Sequence, residues 1–280
     1  MLTTLKVNDF KAVPYLETSL LMRRHKGRLQ FSTDKPNVIV GPNGAGKSAL
    51  MESLALRFLA QLTGDSRLDG NYLGRSRDAE ILWTKTHEWR DTWEFLQGLT
   101  VETDNAPALY YRPGHIPGNE TSPTHALMCG YSEDARHYDE LTKAKSAGQQ
   151  SRALQEHLLA ALDGTACPKE YALRGWTHGR EPRELHGRGW IGPWEYQAEV
   201  LKAIFAHSTG GTPLVLMDEP EQSLDALAEM QLWKALSNAD CTRVQVVVAT
   251  HSLYPLLHPD KFNIIEAVND YARDVIKLLD

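Results

Sequence analysis

Three short segments of this chain carry side chains whose types and spacing could do chemistry. The first is Gly41-Pro42-Asn43-Gly44-Ala45-Gly46-Lys47-Ser48, which fits the pattern G-x-x-x-x-G-K-[ST]. Glycines let a backbone curl until several N–H groups point at one anion. A helix that starts where such a loop ends adds a favourable dipole. A lysine at that point reaches the β- and γ-phosphates of a nucleoside triphosphate, and the neighbouring serine hydroxyl suits Mg2+. Gly41 through Ser48, with Ala49 behind them, are the expected nucleotide-binding run.

The second segment is Leu214-Val215-Leu216-Met217-Asp218-Glu219-Pro220. Four apolar residues ending in two acids put carboxylates at the C-terminal edge of a sheet, where α/β folds bind ligands. Asp218 is expected to hold Mg2+, directly or through water, and Glu219 to act as general base on the attacking water. An apolar run ending in acids can also be a plain strand end; beside the glycine loop it becomes the other half of a phosphate site. The third segment, Val246-Val247-Val248-Ala249-Thr250-His251-Ser252, ends a strand that should neighbour the acidic one. From there His251 could reach a γ-phosphate and report its presence. Lys47, Glu219 and His251 are thus the expected catalytic set. Ser223-Leu224-Asp225 is a candidate subunit-contact loop through Asp225; alone it would be only a helix N-cap.

The elements that must position these groups follow from hydrophobic pattern. Val38-Ile39-Val40 enters the glycine loop as a run suited to a strand covered on both faces. Leu50, Leu54, Phe58 and Leu62 then recur every four residues, one face of a helix. Leu214–Met217 and Val244–Ala249 read as buried strands, with a helix near Leu224–Leu236 between them. Further helices are expected over Arg152–Leu162 and near Glu195–His207, and strands at Pro107–Tyr111 and Asn263–Ile265. The first 35 or so residues read as β structure, with Leu5–Phe10 alternating and Leu29-Gln30-Phe31 resuming after the basic turn Arg23–Gly27. Gly64–Gln97, which holds Trp83, Trp89 and Trp93, reads as helical. Residues 112–125 form a loop, and Gly164–Pro193 is irregular. Strands alternating with helices indicate an α/β fold with a mainly parallel sheet and an N-terminal antiparallel β subdomain. The chain is expected to form one domain over 1–280, with 64–195 as a helical or irregular insertion lobe.

Composition excludes several classes. The 280 residues are 42% apolar and 24% charged, so neither disorder nor a fibrous array fits. Thirty Lys+Arg against 36 Asp+Glu leave a net charge of −6, hence no overall basic field for nucleic acid. Cys129, Cys167 and Cys241 are odd in number and far apart, which offers no disulfide framework and fits a reducing cytoplasm. No apolar run approaches the roughly 20 residues of a bilayer span, so no membrane insertion is expected.

Taken in order, the glycine loop, Asp218-Glu219-Pro220-Glu221, Ser223-Leu224-Asp225 and Ala249-Thr250-His251-Ser252 resemble an ABC-type ATPase domain, a P-loop NTPase. The likeness is closest to the soluble, stand-alone SMC/RecF/OLD-like branch, and Leu5–Phe10 and Asn37–Ser48 share it. It covers roughly residues 1–62 and 195–265. The resemblance implies Mg2+ and ATP held between two subunits of a homodimer or higher oligomer, with a signature loop from the partner capping the γ-phosphate. Ser146-Ala147-Gly148-Gln149 matches that signature but lies well upstream of the usual position, which implies an insertion before the acidic strand. Ile191–Gln197 has the usual spacing and lacks the serine. Ser146, Gly148 and Gln149 are the favoured assignment, because a serine hydroxyl beside a glycine N–H at a helix start is a phosphate site by physics. Where the family carries a glutamine after its second strand, this chain has Arg112; Gln97 is an alternative.

The resemblance implies an ATP-hydrolysing switch that controls an effector protein, in DNA-related or phage-defence processes. A nucleotide-binding subunit of a membrane transporter and an ATP-gated scaffold with little turnover are the rival readings. The segment Arg174–Trp190 interleaves arginines with aromatics, which can bind backbone phosphates and stack bases. A solvated loop or protein contact is the competing reading, given the neighbouring glutamates.

Overall fold

The computed structural model describes residues 1–11, 13–58, 61–62, 98–104, 108–111, 159, 162, 212–222 and 224–279. The fold is mixed α/β, with one parallel and one antiparallel sheet. Its strands are β1 (Leu2–Val7), β2 (Arg28–Gln30), β3 (Asn37–Val40), β4 (Gln61–Leu62), β5 (Leu99–Thr103), β6 (Ala108–Tyr111), β7 (Leu214–Asp218), β8 (Gln245–Thr250) and β9 (Asn263–Glu266). The described helices are α1 (Pro14–Glu17), α2 (Leu20–Arg24), α3 (Lys47–Phe58), α4 (Ala226–Ser237), α5 (Tyr254–Leu257) and α6 (Tyr271–Ile276). Among the described residues no helix is long and apolar enough to cross a membrane.

The parallel sheet has six strands in the order β4-β6-β7-β8-β3-β9, so the strands that carry the three chemical segments lie side by side as β7, β8 and β3. Every residue of β3, β7 and β8 is buried. The reason is a period of two with apolar side chains on both faces. Ile39, Leu214, Leu216, Val247 and Ala249 face one core together with Leu50, Met51 and Leu54 of α3. Val38, Val40, Val215, Met217, Val246 and Val248 face the other, against Leu232, Trp233 and Leu236 of α4. Trp233 stacks on Tyr254 with ring centroids 6.0 Å apart, which seats α4 against α5.

The antiparallel sheet, in the order β2-β1-β5, covers the α3 side of the first core. Its docking is specified by one buried amide. Gln245, at the start of β8, accepts from the Leu2 N–H at 2.6 Å and donates to the Leu2 carbonyl at 2.7 Å. Its amide also donates to the Ser32 carbonyl at 3.0 Å, so a polar side chain at a buried strand start is satisfied rather than stranded.

Several expectations are revised. The N-terminal segment is not continuous β structure: α1 and α2 fill the span between β1 and β2, and the basic turn is partly the last turn of α2. Leu16, Leu21 and Met22 of this segment are fully buried, each contributing about 2 kcal/mol of apolar transfer free energy. The helix after the glycine loop ends at Phe58, and Leu62 belongs to β4 instead of its face. Two strands, β5 and β6, fall within 64–195. The second is the strand expected at Pro107–Tyr111; the first pairs with β1 and has no counterpart in the sequence reading.

Candidate functional site

The three segments meet at one sheet edge. Val40 of β3 pairs with Thr250 of β8, and Asp218 of β7 pairs with Ala249 of β8. Gly41, Glu219 and His251 therefore leave three adjacent parallel strands at the same end. The expected neighbouring of the acidic strand and the histidine strand is present in that register.

The glycine loop owes its shape to contacts behind it. A Cβ on Gly41 would stand 2.5 Å from Cβ of Ala267, which follows β9. Gly46 has φ +92, and a Cβ there would lie 2.2 Å from Oγ of Ser19. Ser19 is the N-cap of α2 and its hydroxyl also donates to the Ala45 carbonyl at 3.0 Å. The Leu21 N–H donates to the same carbonyl at 3.1 Å. The α1–α2 segment is thus the floor of the loop. Pro42 and Gly46 are half-buried, Ala45 is buried, Asn43 and Gly44 are exposed, and Ala49 packs against the first core.

Lys47, at the start of α3, is only 4% exposed, so its ammonium must find acceptors inside the site. It donates to the carbonyls of Gly41 at 2.9 Å and Pro42 at 3.2 Å, and lies 2.9 Å from Nε2 of His251. Burial lowers its pKa, while the carboxylates of Glu219, Asp218 and Glu221 pull it back up. Next to it, Ser48 Oγ donates to Asp218 Oδ1 at 3.2 Å. Asp218 is fully buried at the end of β7.

Glu219 has φ +49, a left-handed conformation unusual for a residue with a side chain. The strain sits where the chain leaves β7, held by the Glu219 N–H on the Ala249 carbonyl at 2.7 Å. This turn brings Glu219 Oε1 within 3.4 Å of His251 Nε2. Burial first, and then the Lys47 charge, lower the pKa of His251; Glu219 opposes them. Nε2 of His251 thus faces the Lys47 ammonium and the Glu219 carboxylate at once. Lys47, Ser48, Asp218, Glu219 and His251 form one cluster: a cation, a hydroxyl, two carboxylates and an imidazole.

Sequence reasoning passes over two contributors. Ser19 lies in a segment expected to be strand. Glu221, quoted only as part of the acidic run, accepts on Oε1 from the Thr250 hydroxyl at 2.6 Å and from the His251 N–H at 3.0 Å. The signal for it is a third acid two residues past Glu219, too frequent a pattern to single out alone.

Asp225 stands at the N-cap of α4, where Oδ1 accepts from the Ala228 N–H at 2.9 Å; it is exposed. Ser223 lies outside the described residues, as do Ser146, Gly148 and Gln149, the rival Ile191–Gln197, Gln97, Arg112 and the Arg174–Trp190 segment. No family model, no curated protein and no solved structure matches this chain.

Proposed function

We propose that this chain is a P-loop NTPase of ABC-ATPase type: a cytoplasmic switch that dimerises around Mg-ATP, hydrolyses it and thereby controls a partner effector. The observation that carries the reading is the convergence at one sheet edge of Lys47 and Ser48 with Asp218, Glu219 and His251, through contacts of 2.9 to 3.4 Å. Glycine loop, acid pair and histidine come from three distant stretches, and adjacent parallel strands deliver them to a common point.

The residues present fit Mg2+. Ser48 Oγ and Asp218 Oδ1 are hard oxygen donors 3.2 Å apart. Mg2+ takes a few such protein oxygens and completes its shell with phosphates and water. When bound, the ion neutralises charge on the β- and γ-phosphates. The chain supplies the rest. The curled main chain of Gly41–Gly46 offers N–H groups to the triphosphate, and Lys47 can exchange its carbonyl acceptors for phosphate oxygens. Glu219, partly exposed at the rim, takes the proton of the attacking water. His251 touches both Lys47 and Glu219, so its position depends on what Lys47 holds. The chemical step then rests on positioning and charge stabilisation.

The test is Glu219→Gln, which keeps the shape of the side chain and removes its basicity. ATP affinity is expected to stay within about threefold while turnover falls by about 10²-fold or more. Size-exclusion chromatography with Mg-ATP should show the variant retained as a dimer. Wild-type turnover in the variant would remove Glu219 as the base. Control of DNA-related or defence effectors is proposed on the resemblance alone; the partner that co-purifies from the native host tests it.

A further inference from the structure

We propose that Glu221 is a positioning residue, whose Oε1 clamps the Thr250–His251 turn and so aims the His251 ring at Lys47 and Glu219. The inference rests on the nucleotide reading of the site, and concerns a residue to which that reading gives no role.

The geometry is that of a two-sided clamp. On one side Glu221 Oε1 accepts from Thr250 Oγ1 at 2.6 Å and from the His251 N–H at 3.0 Å. On the other, Ser252 Oγ donates to Oε1 of Glu229 on α4 at 2.6 Å. The two sides are joined, because the Ser252 N–H donates to Thr250 Oγ1 at 2.9 Å, and the Tyr254 N–H to Ser252 Oγ at 3.2 Å. Every residue from Thr250 to Ser252 is thereby tied, through main chain or hydroxyl, to one of two carboxylates. Charge-assisted bonds of this kind are the strong ones.

Glu221 acts at a distance from the substrate. Its Oε1 is committed to the turn, and its Oε2 is buried with no hydrogen-bond partner among the described residues. A buried carboxylate with one oxygen unpartnered costs stability, which the two bonds on Oε1 offset only in part. Its placement makes sense through the ring it aims. His251 Nε2 must sit 2.9 Å from Lys47 and 3.4 Å from Glu219 at once. A misplacement of about 1 Å at such a point can cost about 10²-fold in rate.

The test compares Glu221→Ala, Glu221→Gln and Thr250→Val in the full chain. Steady-state turnover of Mg-ATP is one readout. The other is the ring resonance of His251 in nucleotide-free protein, assigned by its loss in His251→Gln. Glu221→Ala is expected to lower kcat about 10- to 100-fold with KM for ATP within about threefold, and to displace the ring resonance. Glu221→Gln keeps an acceptor oxygen and should recover most of that loss. An unmoved resonance, or a moved one with wild-type kcat, overturns the proposal. Should Glu221→Ala not fold, Thr250→Val removes one of the two donors with little change of shape and is read by the same two outcomes. Wild-type protein that neither binds nor turns over Mg-ATP would instead remove the nucleotide reading. The resonance, measured without nucleotide, would still decide whether Glu221 sets the histidine.

Discussion

Lys47 and His251 stand 204 residues apart in the chain, and their side-chain nitrogens meet at 2.9 Å. The contact joins the first residue of α3 to the first residue after β8. It exists because β3 and β8 are parallel neighbours whose ends, Val40 and Thr250, are in register. Neither residue alone specifies a site. A buried ammonium needs acceptors, and a lone histidine after a strand is usually a satisfied polar group. Together with Glu219 they make a chain of polar contacts running from the glycine loop to the acidic turn.

The glycine loop makes a prediction about stability that does not depend on nucleotide. Gly44 and Gly46 both have positive φ, +74 and +92, but a Cβ on Gly44 meets nothing within 4 Å whereas one on Gly46 meets Ser19. Gly44→Ala should therefore cost about 1 kcal/mol, the left-handed penalty alone. Gly46→Ala should cost on the order of 3 kcal/mol, strain plus clash. Adding Ser19→Gly should recover part of the Gly46→Ala loss and none of the Gly44→Ala loss. Denaturant unfolding of the two double-mutant pairs measures this; equal costs at the two glycines would remove Ser19 as the floor of the loop.

Burial raises the pKa of Glu221 above the ordinary glutamate value, against the pull of the Thr250 and His251 hydrogen bonds. The folded chain then holds that proton more tightly than the unfolded one. Between the ordinary value and the raised folded value, the native state carries more protons, so stability falls as pH rises through that window. Glu221→Gln cannot titrate. The stability of wild type relative to this variant should decline across the window and level off above it. A difference that grows with pH in the mildly acidic range would reverse the sign and contradict the burial of Glu221.

Tyr111 ends β6 and is 1% exposed, and its hydroxyl has no hydrogen-bond partner among the described residues. Burial raises its pKa, so the phenol stays neutral. Tyr111→Phe removes a polar group without opening a cavity. Unfolding free energy should stay level or rise by up to about 1 kcal/mol. A loss of more than about 1 kcal/mol would mean that the hydroxyl is bonded in solution.

Much of this geometry is legible in residue patterns, and the reasons are specific. Val38–Val40, Leu214–Met217 and Val244–Ala249 read as strands because both sheet faces are covered, which removes polar residues from most alternate positions. Glycines at positions 41, 44 and 46 mark a loop because the backbone there needs either close approach or positive φ. The short helices α1 and α2 are not legible: four and five residues are too few for a helical period to show. Leu62 continues the four-residue spacing of α3 by coincidence and belongs to a strand. Strand β5 pairs with β1 and turns only Leu99 and Val101 to the core while Thr100 and Glu102 stay exposed, so its signal is weak. The clamp role of Glu221 is invisible in one dimension, because its partners Thr250 and His251 are reached only through strand order.

In the proposed function Lys47, Ser48, Asp218 and Glu219 make one triphosphate site. Calorimetric titration of the wild-type chain and of Lys47→Ala with Mg-ATP decides whether they do. Saturable binding of one nucleotide per chain, weakened about tenfold or more in Lys47→Ala, is the predicted result. No binding by the wild type at millimolar Mg-ATP, or the same affinity in both proteins, would contradict it.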